Sequence, residues 1–118
     1  MKRMLGMMQC KWGDVVIVEM PFSEGKGTKK RPALVISSDE YHKSRQEVVI
    51  TAITTNLDRV LVGDTKLDEW QKAGLKYPSL VAGIIQTVKR SLIIHKVGSL
   101  TQKDFRRVQR NLGQAIRL

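Results

Sequence analysis

Residues 31–37, with the sequence RPALVIS, constrain the fold of this chain more than any other stretch. Residues 33–36 are all apolar, which is typical of a strand that is buried on both faces. Pro32 fixes its own φ at roughly −65° and keeps the backbone of Arg31 out of the helical region. The preceding segment, residues 21–30, is rich in Pro, Gly, Ser and Lys and is therefore predicted to be a loop. The sequence thus predicts a guanidinium at the start of a stiff strand beside a basic loop, which suits the binding of a phosphate.

The rest of the chain consists mostly of short β-branched segments separated by turn residues, and this pattern predicts a mainly β domain. Besides residues 31–37, we expect strands over residues 14–20, 47–53, 79–88 and 91–97, and an alternating stretch over 60–67 that Gly63 interrupts. A short helical turn is expected within residues 38–46, with Ser38 or Asp39 as its cap. A second short helix is predicted over residues 68–73, with Asp68 as its N-cap and Gly74 as a left-handed C-cap.

The clearest helix of the sequence begins near the C-terminus, after Thr101. Thr101 and Asp104 have the spacing of a capping box. The residues that follow at helical spacing form one apolar face, made of Phe105, Val108, Leu112 and Ile116. Most of the basic residues here lie off that face and are expected in solvent: Lys103, Arg106, Arg107, Arg110 and Arg117. The predicted architecture is α+β: a small, strongly curved, SH3-like β barrel or sheet with a C-terminal helix packed on it and one or two short helices.

The length and the charge of the chain limit the number of domains and the kind of partner. With 118 residues and 42% hydrophobic content, we expect one domain over residues 12–118, preceded by an N-terminal tail at residues 1–11. The 21 Lys and Arg residues exceed the 11 Asp and Glu residues, so that the formal net charge is +10. A small domain this basic is expected to bind a polyanion, usually a nucleic acid. An acidic protein partner and a basic surface without a function are the alternatives.

Cysteine content and hydropathy limit the expected redox compartment, metal sites and membrane segments. Cys10 is the only cysteine, which excludes an intrachain disulfide and a zinc site built from thiolates, and which fits a reducing cytoplasm. No segment has the roughly 20 apolar residues that a transmembrane helix needs, and residues 1–11 lack the apolar run of a signal peptide. No carboxylate pair or histidine cluster indicates a metal or another cofactor.

Several motifs, in order, resemble one known protein family. They are GDVVIV at residues 13–18, Pro21-Phe22, the Gly-rich loop, RPALV at 31–35, Thr54-Thr55, the DEW, AGL and PS elements within 68–79, and VGSL at 97–100. Over residues 12–117 this set resembles the MazF/PemK toxins of bacterial toxin–antitoxin systems. The resemblance implies a PemK-type barrel, a homodimer and ribosome-independent endoribonuclease activity on single-stranded RNA. It also implies an antitoxin whose disordered acidic C-terminal segment covers the active site.

The resemblance also implies which residues form the site. The family's catalytic arginine corresponds to Arg31 and its catalytic threonine to Thr54. Many members carry Gly-Ser-Glu in the loop before the arginine, whereas this chain has Glu24 before its first loop glycine. The RNA-binding residues expected around the catalytic pair are Lys26, Thr28, Lys29, Lys30, Thr55 and Asn56.

The chemistry of RNA cleavage without a metal is compatible with the pair that the resemblance implies, although the residues alone leave open a strand-end salt bridge for Arg31 and favour a satisfied strand-end hydroxyl for Thr54. The ribose 2′-hydroxyl attacks the adjacent phosphorus, and charge builds up on the phosphoryl oxygens. Histidines often act as acid and base in such a reaction, but His42 and His95 both lie outside the motifs. Arg31 and Thr54 can donate hydrogen bonds to the phosphate, and Trp12 and Phe22 are candidates for base stacking. Two alternatives remain: a toxin of the same fold that inhibits DNA gyrase by binding it, and a relative that binds nucleic acid without cutting it.

Overall fold

The structure, a computed structural model, describes residues 9–21 and 27–118. Its centre is one antiparallel sheet of six strands in the order β4-β5-β3-β2-β1-β6. The strands are β1 Asp14–Pro21, β2 Thr28–Val35, β3 Glu47–Thr54, β4 Thr65–Lys66, β5 Leu80–Lys89 and β6 Ile93–Ser99. The described residues also form two α-helices, α1 Asp39–Ser44 and α2 Gln102–Ala115, and a 3₁₀ turn at Arg90–Leu92. The predicted α+β class, mainly β with a C-terminal helix, is confirmed.

Both faces of the sheet carry an apolar cluster, because successive side chains of a strand point to opposite faces. On what we call the first face lie Val16 and Val18 of β1, Ala33 and Val35 of β2, and Val48 and Ile50 of β3. Buried Cys10, from the segment predicted to be a tail, packs into this cluster. On the second face lie Val15, Leu34 and Ile53, together with Phe105 and Val108 of α2. The apolar run of β2 is therefore buried on both sides, as predicted.

The start of β2 differs from the prediction. Thr28, Lys29 and Lys30 were expected in a loop, but they pair with Pro21, Met20 and Glu19 of β1. The ladder of a hairpin thus overrides the polar composition of these residues, since backbone hydrogen bonds do not depend on the side chains. As a result, Arg31 lies inside a strand and not at its first position.

Two other predicted elements are also shorter or different. Only Thr65 and Lys66 of the alternating stretch over 60–67 form a strand, and Val60, Leu61 and Val62 lie exposed before it. The helix predicted over residues 68–73 is a series of turns. It ends as expected at Gly74, whose φ is +87°, and the Leu75 N–H donates to the Trp70 carbonyl at 3.1 Å.

The two helices begin at the predicted caps. The Ser38 hydroxyl accepts from the Tyr41 N–H at 3.1 Å, and the Thr101 hydroxyl accepts from the Asp104 N–H at 3.3 Å. On α2, Phe105 and Val108 are buried, whereas Ile116 follows the last helical residue and is 40% exposed. The apolar face that covers the sheet is therefore one turn shorter than predicted.

Candidate active site at one end of the sheet

The register between β2 and β3, continued past its last recorded pair, brings Arg31 and Thr54 to the same end of the sheet. The observed pairs are Ala33 with Ala52, Leu34 with Thr51 and Val35 with Ile50. Continuing this register by two residues places Arg31 opposite Thr54. Arg31 lies on the first face, because it alternates with Ala33 and Val35, and Thr54 lies there because it alternates with Val48 and Ile50. Directly opposed residues have Cβ atoms about 4.5–5.5 Å apart, so that both side chains can contact one phosphate.

The guanidinium of Arg31 is available for a ligand. Arg31 is exposed, and it lies opposite Val18 of β1, which offers no charge. Within residues 9–21 and 27–118, no ion pair includes Arg31. A guanidinium has five N–H donors in a planar fork, a geometry that matches two phosphoryl oxygens. The arrangement favours anion binding over a strand-end salt bridge.

The hydroxyl of Thr54 is oriented by the turn that follows β3. Its Oγ1 accepts a hydrogen bond from the Asn56 N–H at 3.1 Å. Because a hydroxyl has one hydrogen to donate, accepting this bond leaves its own O–H free to point away from the turn. The Asn56 Oδ1 accepts from the Asp58 N–H at 3.1 Å, which fixes the next step of the chain. Thr54 is half-buried, whereas Thr55 and Asn56 are exposed beside it.

The predicted RNA-binding residues of the hairpin fall into two groups. Lys29 alternates with Arg31 and therefore lies on the first face, next to the pair. Thr28 and Lys30 belong to the second face, and Lys30 lies opposite Glu19. The structure thus brings Lys29 together with Arg31 and Thr54 and separates Lys30 from them. Lys26 lies outside the described residues.

Neither histidine joins Arg31 and Thr54. His42 lies on α1, which contacts β3 away from Thr54, and its Nε2 is 2.5 Å from the Ser37 Oγ. Burial, followed by the charge of Arg90, lowers the pKa of His42. His95 is exposed on β6 opposite Ile17, which belongs to the second face.

Of the two aromatic candidates for base stacking, the structure describes Trp12. Trp12 packs its ring against Phe105 of α2, with ring centroids 4.5 Å apart, and remains 50% exposed. Phe22 lies outside the described residues. The sequence did not single out Lys66 or Tyr77, which are both exposed. Lys66 reaches this end through its pairing with Leu80, and Tyr77 lies in the turn that leads into Leu80.

The described residues also bear on metal binding and on membrane spans. Among the described residues, no group of three or more His, Cys, Asp or Glu side chains could hold a metal ion. In the same part of the chain, no helix is long and apolar enough to cross a membrane.

Comparison with known proteins places this geometry in a family. Residues 11–116 match the family model described as the PemK-like, MazF-like toxin of type II toxin–antitoxin systems. A relative named probable endoribonuclease MazF, from Mycolicibacterium smegmatis, is 31% identical over 85 residues, which cover 71% of this chain and 77% of the relative.

Solved structures share the fold. A mycobacterial endoribonuclease in complex with its cognate antitoxin has a TM-score of 0.75 at 16% identity and covers 91% of this chain and 94% of its own. MazE–MazF from Deinococcus radiodurans has a TM-score of 0.73 at 16% identity, with 90% and 94% covered. The six-stranded sheet with a C-terminal helix is thus a known architecture.

Proposed function

The chain belongs to the PemK-like, MazF-like toxin family of type II toxin–antitoxin systems, and from this premise we propose that it is an endoribonuclease that cuts single-stranded RNA without a metal ion. One observation carries the proposal: Arg31 is free of ion pairs within the described residues, and the β2–β3 register, continued by two residues beyond Ala33 and Ala52, puts it across from Thr54 on the same face. A permanent cation and a fixed hydroxyl, side by side, form a site for one phosphodiester.

In this scheme the 2′-hydroxyl of the RNA is the nucleophile. Its oxygen forms a bond to the adjacent phosphorus, and the bond from phosphorus to the 5′-oxygen breaks. The proton of the 2′-hydroxyl passes to solvent water and the departing 5′-oxygen takes a proton from water, so that the products are a 2′,3′-cyclic phosphate and a free 5′-hydroxyl. Arg31 donates to the phosphoryl oxygens and stabilises the charge that grows on them, which is where preorganised donors contribute most.

Thr54 supplies the second donor of the scheme. Its O–H, left free by the bond from the Asn56 N–H, donates to a phosphoryl oxygen of the same group. Arg31 is a poor base near neutral pH, because a guanidinium in a protein stays protonated. We therefore assign Arg31 and Thr54 to charge stabilisation and orientation.

The surroundings of the pair indicate how RNA and an inhibitor would approach. Lys29 extends the positive charge on the first face, where it would contact phosphates without reading sequence. An antitoxin with an acidic, extended segment would be attracted by the same charges. We propose such a neutralising partner, a homodimeric toxin and a cytoplasmic location, in line with the family.

The deciding experiment compares wild type, Arg31→Ala and Lys89→Ala on a long, defined single-stranded RNA in EDTA, with the fragment ends mapped. Lys89 is the matched control, because it is an exposed cation opposite Glu47 at the other end of β5. We expect discrete cuts by wild type and Lys89→Ala, with 5′-hydroxyl ends, and a loss of roughly 10²–10³-fold in rate for Arg31→Ala.

Two results would contradict the proposal. If wild type leaves the RNA intact, the chain is not a metal-independent ribonuclease, and a gyrase supercoiling assay then tests the inhibitor of the same fold. If Arg31→Ala cuts as fast as wild type, the site lies elsewhere. Thermal unfolding of each variant shows whether a lost activity reflects a lost fold.

A further inference from the structure

We propose that Lys66 and Tyr77 form a second nucleotide subsite beside the scissile phosphate, where Lys66 binds a neighbouring phosphate and Tyr77 stacks on a base. The inference rests on the proposed ribonuclease function and extends it to residues that neither the motifs nor the resemblance indicated. For Lys66 it follows from the recorded register of β3, β5 and β4, and for Tyr77 from the turn that leads into β5.

A single row of residues crosses the sheet at the end where Arg31 lies. Thr54 of β3 pairs with Leu80 of β5, and Leu80 pairs in turn with Lys66 of β4. We call Arg31, Thr54, Leu80 and Lys66 the cross-strand row. Residues that oppose each other in an antiparallel sheet share a face, so Lys66 lies on the first face with the catalytic pair. Neighbouring strands are about 4.8 Å apart, which places Lys66 roughly 10 Å from Thr54.

This distance suits a phosphate near the one that is cut, in an RNA strand that runs across the row. Buried Leu80 keeps Lys66 and Thr54 apart, so that the two bind different groups and do not compete for one. The side chain of Lys66 is exposed and belongs to no ion pair of the described residues. Its backbone is held, because the Lys66 carbonyl accepts from the Arg107 guanidinium at 2.9 Å. A free ammonium on an anchored strand is suited to a phosphate.

Tyr77 lies at the same corner of the sheet. Its turn leads directly into Leu80, and two hydrogen bonds fasten it. The Ser79 hydroxyl donates to the Tyr77 carbonyl at 2.7 Å, and the Leu67 N–H donates to the Ser79 carbonyl at 3.0 Å. The second bond joins the turn to the residue after Lys66.

Despite this fixed backbone, the Tyr77 side chain is 64% exposed. Proteins that bind single-stranded RNA use such exposed aromatic rings as platforms for unstacked bases. A lysine for the phosphate and an aromatic ring for the base together make the minimal contacts of one nucleotide. The ring favours RNA over an acidic peptide as the occupant, because carboxylates need cations and gain little from an aromatic face.

The two residues make different predictions, and a binding experiment separates them. The probe is a short single-stranded RNA that spans the mapped cut site and carries a 2′-deoxy sugar there, so that it binds but is not cut. Its affinity is measured over a range of KCl concentrations. We expect Lys66→Ala to weaken binding and to reduce the slope of log affinity against log salt by about 0.7, which corresponds to one lost phosphate contact.

For Tyr77→Ala we expect a loss of affinity of roughly 5- to 100-fold with an unchanged salt slope, and for Tyr77→Phe nearly full affinity, because stacking needs the ring and not its hydroxyl. In cleavage assays both alanine variants should raise KM more than they lower kcat. Lys89→Ala is the control for charge, and Tyr41→Ala, on α1 at a distance from the row, is the control for aromatic content.

The outcomes distinguish this inference from the function on which it rests. If wild type cuts RNA and both variants bind and cut like wild type, the subsite is wrong and the function stands. If wild type cuts nothing, the function fails, and a mixed-sequence RNA of the same length then tests the subsite by binding alone. If the variants lose affinity only for an acidic antitoxin peptide, the corner is a protein-binding surface and the subsite is overturned.

Discussion

Two groups of charged residues lie on this domain, and they differ in whether their charges are neutralised. At the site end of the sheet, Lys29, Arg31 and Lys66 are exposed, and no ion pair of the described residues includes them. At the start of α2 the opposite holds, because nearly every charge there has a partner. The charged residues of this second group are Asp68, Glu69, Asp104 and Arg107, which together with the Thr101 hydroxyl we call the clasp.

Asp104 is the centre of the clasp. Its carboxylate is fully buried and accepts from the N–H groups of Asp68 at 3.2 Å and Glu69 at 2.8 Å, and from Arg107 at 2.9 Å. Glu69 accepts in turn from the Thr101 hydroxyl at 2.6 Å, and this bond, followed by that from Lys72, lowers the pKa of Glu69. The clasp fastens the turns before β5 to α2.

The contrast indicates that the charges of the clasp stabilise the fold, whereas the cations at the site end are available to bind a ligand. With 21 basic and 11 acidic residues, the chain cannot pair every cation. Several of its acids are used to hold the fold at the clasp, and the cations at the site end stay free for a polyanion. Substitutions in the clasp should therefore act on stability, and substitutions at the site end should act on RNA.

The largest effect should follow from breaking the clasp at its centre. Asp104→Ala leaves the Asp68 and Glu69 N–H groups without their acceptor and removes one of the partners of Arg107, and we expect it to lower the free energy of unfolding by about 2–4 kcal/mol. Urea unfolding measures this directly. The matched control is Lys103→Ala, which removes only an exposed pair with Asp68 at 3.6 Å and should cost well under about 1 kcal/mol.

The same variant tests whether charges that stabilise the fold are separate from charges that bind RNA. If Asp104→Ala stays as stable as wild type, the clasp is not a structural element. If Arg31→Ala destabilises the chain as much as Asp104→Ala does, the charges at the site end also hold the fold and the comparison fails.

A smaller effect should separate two neighbouring lysines at the site end. Lys29 lies on the face of Arg31, whereas Lys30 lies on the other face, opposite Glu19. We expect Lys29→Ala to weaken RNA binding and to reduce the salt slope by about 0.7, and Lys30→Ala to change both less. Fluorescence anisotropy over a range of KCl concentrations tests this. Equal slopes for the two variants would mean that RNA binding does not follow the faces of β2.

The sequence predicted those parts of the fold that local patterns determine. The apolar run of β2, the alternation of β3 and the cap at Thr101 are all readable within a few residues. The helix predicted over residues 68–73 was wrong: the segment forms turns, and its Asp68 and Glu69 N–H groups donate to Asp104, far along the chain. Such a contact leaves no local signal.

The site was predictable to a similar extent. Arg31 and Thr54 followed from motifs, but their opposition across the sheet depends on the register of β2 and β3. Lys66 shows the same limit more strongly, because it stands in a two-residue strand that the hydropathy pattern does not single out. Its place in the cross-strand row exists only through its pairing with Leu80.

The smallest expected effect concerns pH. It sharpens the comparison because we expect His42, like the clasp, to act on stability and not on RNA. Burial and the charge of Arg90 lower its pKa from the ordinary 6.5, against the opposing effects of a hydrogen bond to the Cys10 backbone and of Asp39 and Asp14. The folded ring is therefore more often neutral than the unfolded one. As the pH falls below 6.5, the unfolded chain binds more protons, so the contribution of His42 to stability is present above that pH and is lost through the lower folded pKa.

Urea unfolding between about pH 5 and pH 8 should then show that stability falls more steeply toward acid in wild type than in His42→Gln. His95→Gln, which changes an exposed ring on β6, is the control and should follow wild type. RNA binding by Arg31 and Lys29 needs neither ring, so the salt slope of His42→Gln should equal that of wild type wherever both are folded. A changed slope would mean that His42 acts on the RNA site, and that the separation between charges for the fold and charges for the ligand does not extend to this ring.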